Sequence, residues 1–188
     1  LFVNDAFGTM HRSHASNVGI ASLLPSAIGF LVKKEVDEIS SALNNPRRPL
    51  VVMLGGAKVS DKIGVIENAL KIADYVLIGG AMPYTFYKAL GYNVGGSLVD
   101  DASLDFCKRV YEENKSKIIL PTDVVVASSM TNEANTRLTS VNMINNNEIG
   151  VDVGVATLSE YRRIISNANT IIWNGPFGVF EIPKFSNG

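Results

Sequence analysis

Lys58 and Lys62 follow closely on the glycine pair Gly55–Gly56 in the stretch LVVMLGGAKVSDK, Leu50 to Lys62. Two ammonium groups beside an uncovered backbone turn suit a strongly negative group, and phosphate is the obvious candidate. Ser60 is a suitable N-cap, and Ile63, Ile66, Leu70 and Ala73 recur at helical spacing, so Lys58 falls in the turn and Lys62 in the first helical turn. A cation at that positive end of a helix dipole is disfavoured by a few tenths to ~1 kcal/mol. Two of them make sense if open N–H groups and an anion lie between them. The same spacing also fits a pair of solvated surface lysines after an ordinary strand-to-helix turn, and the pair alone does not decide.

Other residues with chemical potential are more isolated. His11 and His14 stand three apart in a polar loop, Gly8 to Ser16, but the chain has no other histidine and no cysteine near them. Loop-pinning or solvated imidazoles fit better than a metal site. Arg12, between them, carries a guanidinium that matches phosphate or carboxylate oxygens in a bidentate way. The single cysteine, Cys107, falls on the apolar side of an expected helix with Leu104 and Tyr111, as a packing residue rather than a nucleophile.

The elements that must position these residues follow from hydrophobic pattern. Leu50–Leu54 is a short apolar, partly β-branched run, expected as a strand buried on both faces. Tyr75–Ile78 and Thr170–Trp173 are further strands, and Leu1–Val3 reads as the tail of a buried one. Helices are expected after Gly29, with Val32, Val36, Ile39 and Leu43 on one face, after Ser60, and at Pro83, where Gly91 ends the helix. Another runs from about Ser103 to Asn114, and a last one opens on a Thr157/Glu160 capping box with Leu158, Tyr161, Ile165 and Ala168 on its apolar face. Ile118–Leu120 and Val124–Val126 suggest strand material interrupted by Pro121, so a bent or two-part strand is expected. Ser128–Glu148 is polar and Asn-rich, expected as a surface excursion or small hairpin.

Repeated β-α-β-α order implies an α/β fold: a parallel sheet of Rossmann-like βα units with helices on both faces, incomplete here. Three strands end in glycine, at Gly55–Gly56, Gly79–Gly80 and Asn174–Gly175. Ligands of open α/β sheets sit outside the carboxyl ends of the strands, so three such ends on one rim favour a site for a phosphorylated ligand.

Bulk composition narrows the classes. The chain has 188 residues, 46% hydrophobic and 19% charged, enough apolar material for a sizeable core. A net charge of −1 with no basic block argues against nucleic acid as a partner. No apolar run approaches membrane-spanning length, so no membrane partner is expected, and one cysteine fits a reducing, cytoplasmic setting. The opening in mid-strand and the stop at Gly188 suggest a piece of a longer protein. Neither a GxxxxGK[ST] loop nor a GxGxxG fingerprint occurs, which weakens the P-loop and standard dehydrogenase readings.

LGGAKVSDKI, preceded by VNDAFGTMHRSH and followed by IGGAMPYTF and WNGPFGVFE, closely resembles the phosphoglycerate kinase family in block order and spacing across essentially the whole chain. The resemblance implies reversible phosphoryl transfer between ATP and the carboxylate of 3-phosphoglycerate, in glycolysis, with 1,3-bisphosphoglycerate and ADP on the other side. It divides the chain into residues 1–27, the end of an N-terminal phosphoglycerate-binding domain; 28–48, an interdomain helix and linker; and 49–188, a nucleotide-binding domain lacking its C-terminal part. Lys58 resembles the catalytic lysine that follows the migrating phosphoryl group, and Arg12 a phosphoglycerate ligand. Lys62 resembles a nucleotide-phosphate ligand, Gly56 and Ala57 the turn beneath those phosphates, and Gly79 and Gly80 the adenine wall. Gly150 resembles a further nucleotide contact, Asn174, Gly175, Pro176, Gly178 and Val179 the nucleotide loop, and Glu181 the ribose-binding carboxylate. Ala81, Pro83 and Phe177 depart from the commoner family residues. Mg²⁺ is implied with ATP or ADP, its protein ligand expected beyond Gly188 in a Gly-Gly-Asp-Thr loop. The intact protein is expected to be a monomer, and these residues alone inactive. A non-catalytic nucleotide-binding module is the alternative.

Overall fold

The computed structural model describes all residues, Leu1–Gly188, and the chain forms two compact units, Leu1–Pro46 and Arg47–Gly188.

In the first unit, strand β1 (Phe2–Asn4) pairs in parallel with β2 (Ser26–Ile28), a strand the hydrophobic pattern does not announce. Helix α1 (Phe30–Asn44) follows. Leu1 and Val3 are 85% and 51% exposed, which corrects the reading of a buried strand. The reason is that β1 has one neighbour and no covering layer. On α1, Val32 is buried, whereas Val36, Ile39 and Leu43 on the same face stay exposed. Its first turn is capped from a distance: Asp5 Oδ1 accepts the N–H of Val32 at 2.9 Å. Gly29 makes room, since a Cβ there would lie 2.3 Å from the Asp5 carboxyl carbon.

The second unit is built on a four-stranded parallel sheet of β3 (Leu50–Leu54), β4 (Tyr75–Ile78), β5 (Ile118–Ile119) and β9 (Thr170–Asn174), in the spatial order β5-β4-β3-β9. Leu50, Val52 and Leu54 face one side, where they pack with Val76 and Ile78 against helices α2 (Ile63–Ile72), α3 (Met82–Ala89) and α4 (Leu104–Glu113). Val51 and Leu77 face the other side, against Tyr161 and Ile164 of α5 (Val155–Ser166) and against Phe177. Helices therefore cover both faces, and burial of β3 from both sides explains its uninterrupted apolar run. Cys107 is fully buried among these residues, and burial pushes its thiol up to about 12, which suits a packing residue.

Of three local expectations, one is resolved and two are corrected. Pro121 divides the strand material in two, the second of the forms expected. It is where the chain leaves the parallel sheet, and Val124–Val126 belong to β6 (Asp123–Ala127) in a separate antiparallel sheet with β7 (Thr136–Ser140) and β8 (Ile149–Val153), ordered β7-β6-β8. Ser60 is not the N-cap of α2; Ser60–Lys62 form a 3₁₀ turn and the helix begins at Ile63 without a side-chain cap. Thr157 and Glu160 form no capping box. Gly154 is the N-cap of α5, and the capping carboxylate is Asp123, which accepts the N–H groups of Ala156 and Thr157 at 3.0 and 2.7 Å. As at Gly29, the cap residue must be glycine, because a Cβ on Gly154 would lie 2.3 Å from the Asp123 carboxyl carbon.

Candidate functional site

Because β4, β3 and β9 are adjacent and parallel, their carboxyl ends lie side by side. The three glycine-bearing ends are joined to one another by backbone hydrogen bonds. Gly55 N–H donates to Asn174 O at 3.0 Å, Gly79 N–H to Leu54 O at 2.8 Å and Ala81 N–H to Gly56 O at 2.9 Å. Gly80 N–H donates to Phe177 O at 3.1 Å, which draws the loop after β9 over the rim. Side chains are excluded sterically. A Cβ on Gly55 would come within 2.0 Å of Pro176 O, and Gly80, with φ of +66°, lies against the Gly56 nitrogen.

The turn after β3 leaves its amides free. The N–H groups of Gly56, Ala57, Lys58 and Val59 meet no acceptor in the protein, while the Ser60 N–H is taken by Asp100 Oδ2 at 2.8 Å. Successive unpartnered amides preceding a helix are an anion-binding arrangement. Lys62 Nζ donates to the side-chain oxygen of Asn174 and approaches its backbone oxygen at 3.4 Å, so this ammonium lies on the rim at the end of β9. Lys58 is exposed in the turn, close enough to Asp100 to help hold that carboxyl below its usual range, after the larger effect of the Ser60 hydrogen bonds.

Beside this turn lies a cavity of about 220 Å³. Gly56 and Ala57 line it from the turn after β3, Gly80 and Ala81 from the turn after β4, and Gly150 and Val151 from β8. Pro176, Gly178, Val179 and Glu181 close it from the loop after β9. Its mouth is apolar, with Leu98, Met130 and Phe180 around half exposed. Gly150 is a thin wall: the Tyr84 hydroxyl lies behind it, where a Cβ would come within 1.9 Å of that oxygen. Burial pushes the Tyr84 phenol well above its usual range, with the Asp152 charge adding to it. Asp152, itself buried, accepts N–H groups from Val153 and Asn187 at 2.8 and 2.7 Å. Burial raises its carboxyl by more than these amides lower it.

Several residues named from the sequence stand elsewhere. Gly79 does not line the cavity; it gives room to the buried Phe177 ring, which packs edge-on against Tyr161 at 5.7 Å. Gly175, at φ +95°, lies against the Gly55 carbonyl, and Asn174 meets Lys62 rather than the cavity. Arg12 is exposed in the Leu1–Pro46 unit, as are His11 and His14. Among the lining residues, Leu98 and Met130 carried no sequence signal, because each sits in a polar or glycine-rich stretch that shows no periodicity. Nor did Asp100, whose role depends on a partner 40 positions away. No group of three or more His, Cys, Asp or Glu side chains is placed to hold a metal ion. No helix is long and apolar enough to cross a membrane.

Comparison with known proteins addresses the whole chain at once. A family model described as phosphoglycerate kinase matches residues 1–188. Curated phosphoglycerate kinases from Fusobacterium nucleatum and Thermosipho africanus are 53% and 54% identical to it, each match covering 100% of this chain and 48% of the relative. The chain thus spans about half the length of the curated relatives it matches. A solved phosphoglycerate kinase from Coxiella burnetii superposes with a TM-score of 0.89 at 41% identity, over 100% of this chain and 50% of that one. One from Pyrococcus horikoshii gives 0.85 at 32% identity, over 100% of this chain and 49% of that one. With its parallel sheet, its glycine rim and a family match across residues 1–188, the chain belongs to the phosphoglycerate kinase family.

Proposed function

We propose that the chain supplies the nucleotide site of a phosphoglycerate kinase, which transfers a phosphoryl group reversibly between ATP and the carboxylate of 3-phosphoglycerate. The observation that carries this reading is the run of unpartnered amides from Gly56 to Val59, placed between the Lys62 ammonium and an apolar cavity. Phosphoryl transfer asks for positioning and for neutralised charge on the phosphate oxygens more than for a covalent nucleophile. Amides and ammonium groups provide both without reorganising as the charge develops.

In this reading the purine lies in the cavity between the Gly80–Ala81 turn, Gly150–Val151 and Val179, with Gly79 shaping the wall through Phe177. Glu181 accepts from the ribose hydroxyls. Gly56, Ala57 and Lys62 hold the phosphates, and Asn174 keeps Lys62 on the rim until they arrive. Gly175, Pro176 and Gly178 form the loop that closes the site, and Lys58 stabilises the migrating phosphoryl group. Arg12 binds phosphoglycerate. Mg²⁺ enters with the phosphates and supplies further neutralisation of their charge; none of these residues is assigned to hold it. Residues 1–27 belong to the phosphoglycerate-binding domain, 28–48 to the connecting helix and linker, and 49–188 to the nucleotide domain. The intact enzyme works as a cytoplasmic monomer in glycolysis, and these residues alone bind nucleotide without turnover.

Calorimetric titration with ADP tests the reading. The chain is expected to bind ADP, and Lys62→Glu to weaken binding by about tenfold or more, the scale of losing a charge-assisted contact. Equal affinity of the two proteins would contradict it.

A further inference from the structure

The turn that carries Lys58 has few internal constraints. It precedes a 3₁₀ segment and a helix that both lack a side-chain cap, and within the turn only the Lys62 N–H reaches back, to Val59 O at 2.8 Å. At its start the Gly56 carbonyl accepts the Ala81 N–H at 2.9 Å, and the Val59 side chain is buried in the core. Where the turn passes into the 3₁₀ segment, its external polar anchor is Asp100. One oxygen of that carboxylate accepts both the Ser60 N–H at 2.8 Å and the Ser103 hydroxyl at 3.0 Å. The Asp100 N–H in turn donates to Oγ1 of Thr85, a fully buried residue of α3, at 3.1 Å. The carboxylate is therefore tied through its own backbone to the core and through its side chain to the turn.

On charge alone a carboxylate here works against phosphate binding. It faces Lys58 and lies near amides that the proposed site offers to phosphate, and a like charge nearby weakens anion binding. A compensating gain has to be geometric. Ser60 directly follows the four unpartnered amides, so fixing its N–H fixes the direction in which they point.

We propose that Asp100 is a positioning residue for the phosphate-binding turn: by holding the Ser60 amide it aims the Gly56–Val59 amides and restrains Lys58, without touching the nucleotide itself. The proposal rests on the nucleotide reading of the site.

Two substitutions separate geometry from charge. Asp100→Asn keeps an oxygen that accepts the Ser60 N–H but removes the negative charge, whereas Asp100→Ala removes both. If repulsion of phosphate were the dominant effect, both variants would bind ADP more tightly than the parent chain. If the tether dominates, Asp100→Ala weakens ADP binding by about tenfold, the scale of losing one hydrogen bond to a charged group, and Asp100→Asn stays within about threefold of the parent. Adenosine is the control. It fills the same cavity but brings no phosphate to the turn, so its affinity is expected to be the same in all three proteins, a selectivity that general loss of structure would not produce.

Calorimetric titration of parent, Ala and Asn chains with ADP and with adenosine decides the matter. Selective loss of ADP binding in Asp100→Ala, with recovery in Asp100→Asn, is the expected result. ADP binding by the Ala variant as tight as the parent's, parallel loss of ADP and adenosine, or an Asn variant as weak as Ala would each overturn the proposal. Failure of the parent chain to bind ADP would contradict the nucleotide reading itself, and this proposal with it.

Discussion

Single residues at the rim act mostly through what they leave uncovered. Gly55 shows this most sharply, because a Cβ there would sit 2.0 Å from the Pro176 carbonyl, a backbone atom with no freedom to rotate away. Gly55→Ala should destabilise the chain by about 1–3 kcal/mol, the usual cost of overpacking, and displace the loop that closes the cavity. Urea denaturation and ADP titration of the variant check both effects; unchanged stability would show that the rim is looser than described. The glycine pairs at strand ends were legible in the sequence, because glycine directly after a buried apolar run has few other uses. The partners of those glycines were not. Lys62 and Asn174 are 112 positions apart, and only the pairing of β3 with β9 brings them together.

Helices and strands were legible in proportion to how local their causes are. The strands of the four-stranded parallel sheet announced themselves as apolar runs, and Gly91, at φ +87° after α3, ends that helix as expected. The caps of α1 and α5 did not, since each is a distant carboxylate, Asp5 just after β1 and Asp123 in β6, brought against a glycine. Strand β8 (IGVDV) was also missed, and β7 (TRLTS) was covered only by the small-hairpin alternative, because polar residues, a glycine and an aspartate hide any clear alternation. The distant cap has a measurable signature. Burial raises the Asp123 carboxyl, but the Thr157 hydroxyl and amide and the Ala156 amide lower it by more, leaving it below its ordinary 3.8. A folded-state pKa below the unfolded value means a contribution present above the unfolded value and lost as the pH falls through the folded one. Asp123→Ala should therefore cost about 1–2 kcal/mol near neutrality, as for other lost caps, with the difference from the parent shrinking below about pH 4. Thermal unfolding across that range checks it, and a difference independent of pH would argue against an ionised cap.

At the scale of the whole molecule, the family blocks fixed the order of elements, and the parallel sheet then placed three distant glycine turns on one edge. What composition and periodicity could not supply was the second, antiparallel sheet, which contributes Gly150 and Val151 to the cavity through β8. The cavity is thus shared between two sheets, and the route from one to the other runs through Pro121. In the proposed site, phosphates of a nucleotide rest on the amides that follow β3. Backbone amide NMR during titration with ADP, repeated with adenosine, tests it most directly. The Gly56, Ala57, Lys58 and Val59 signals are expected to shift strongly with ADP and little with adenosine, while Gly80 and Gly150 respond to both. ADP binding that leaves those four amides unmoved would contradict it.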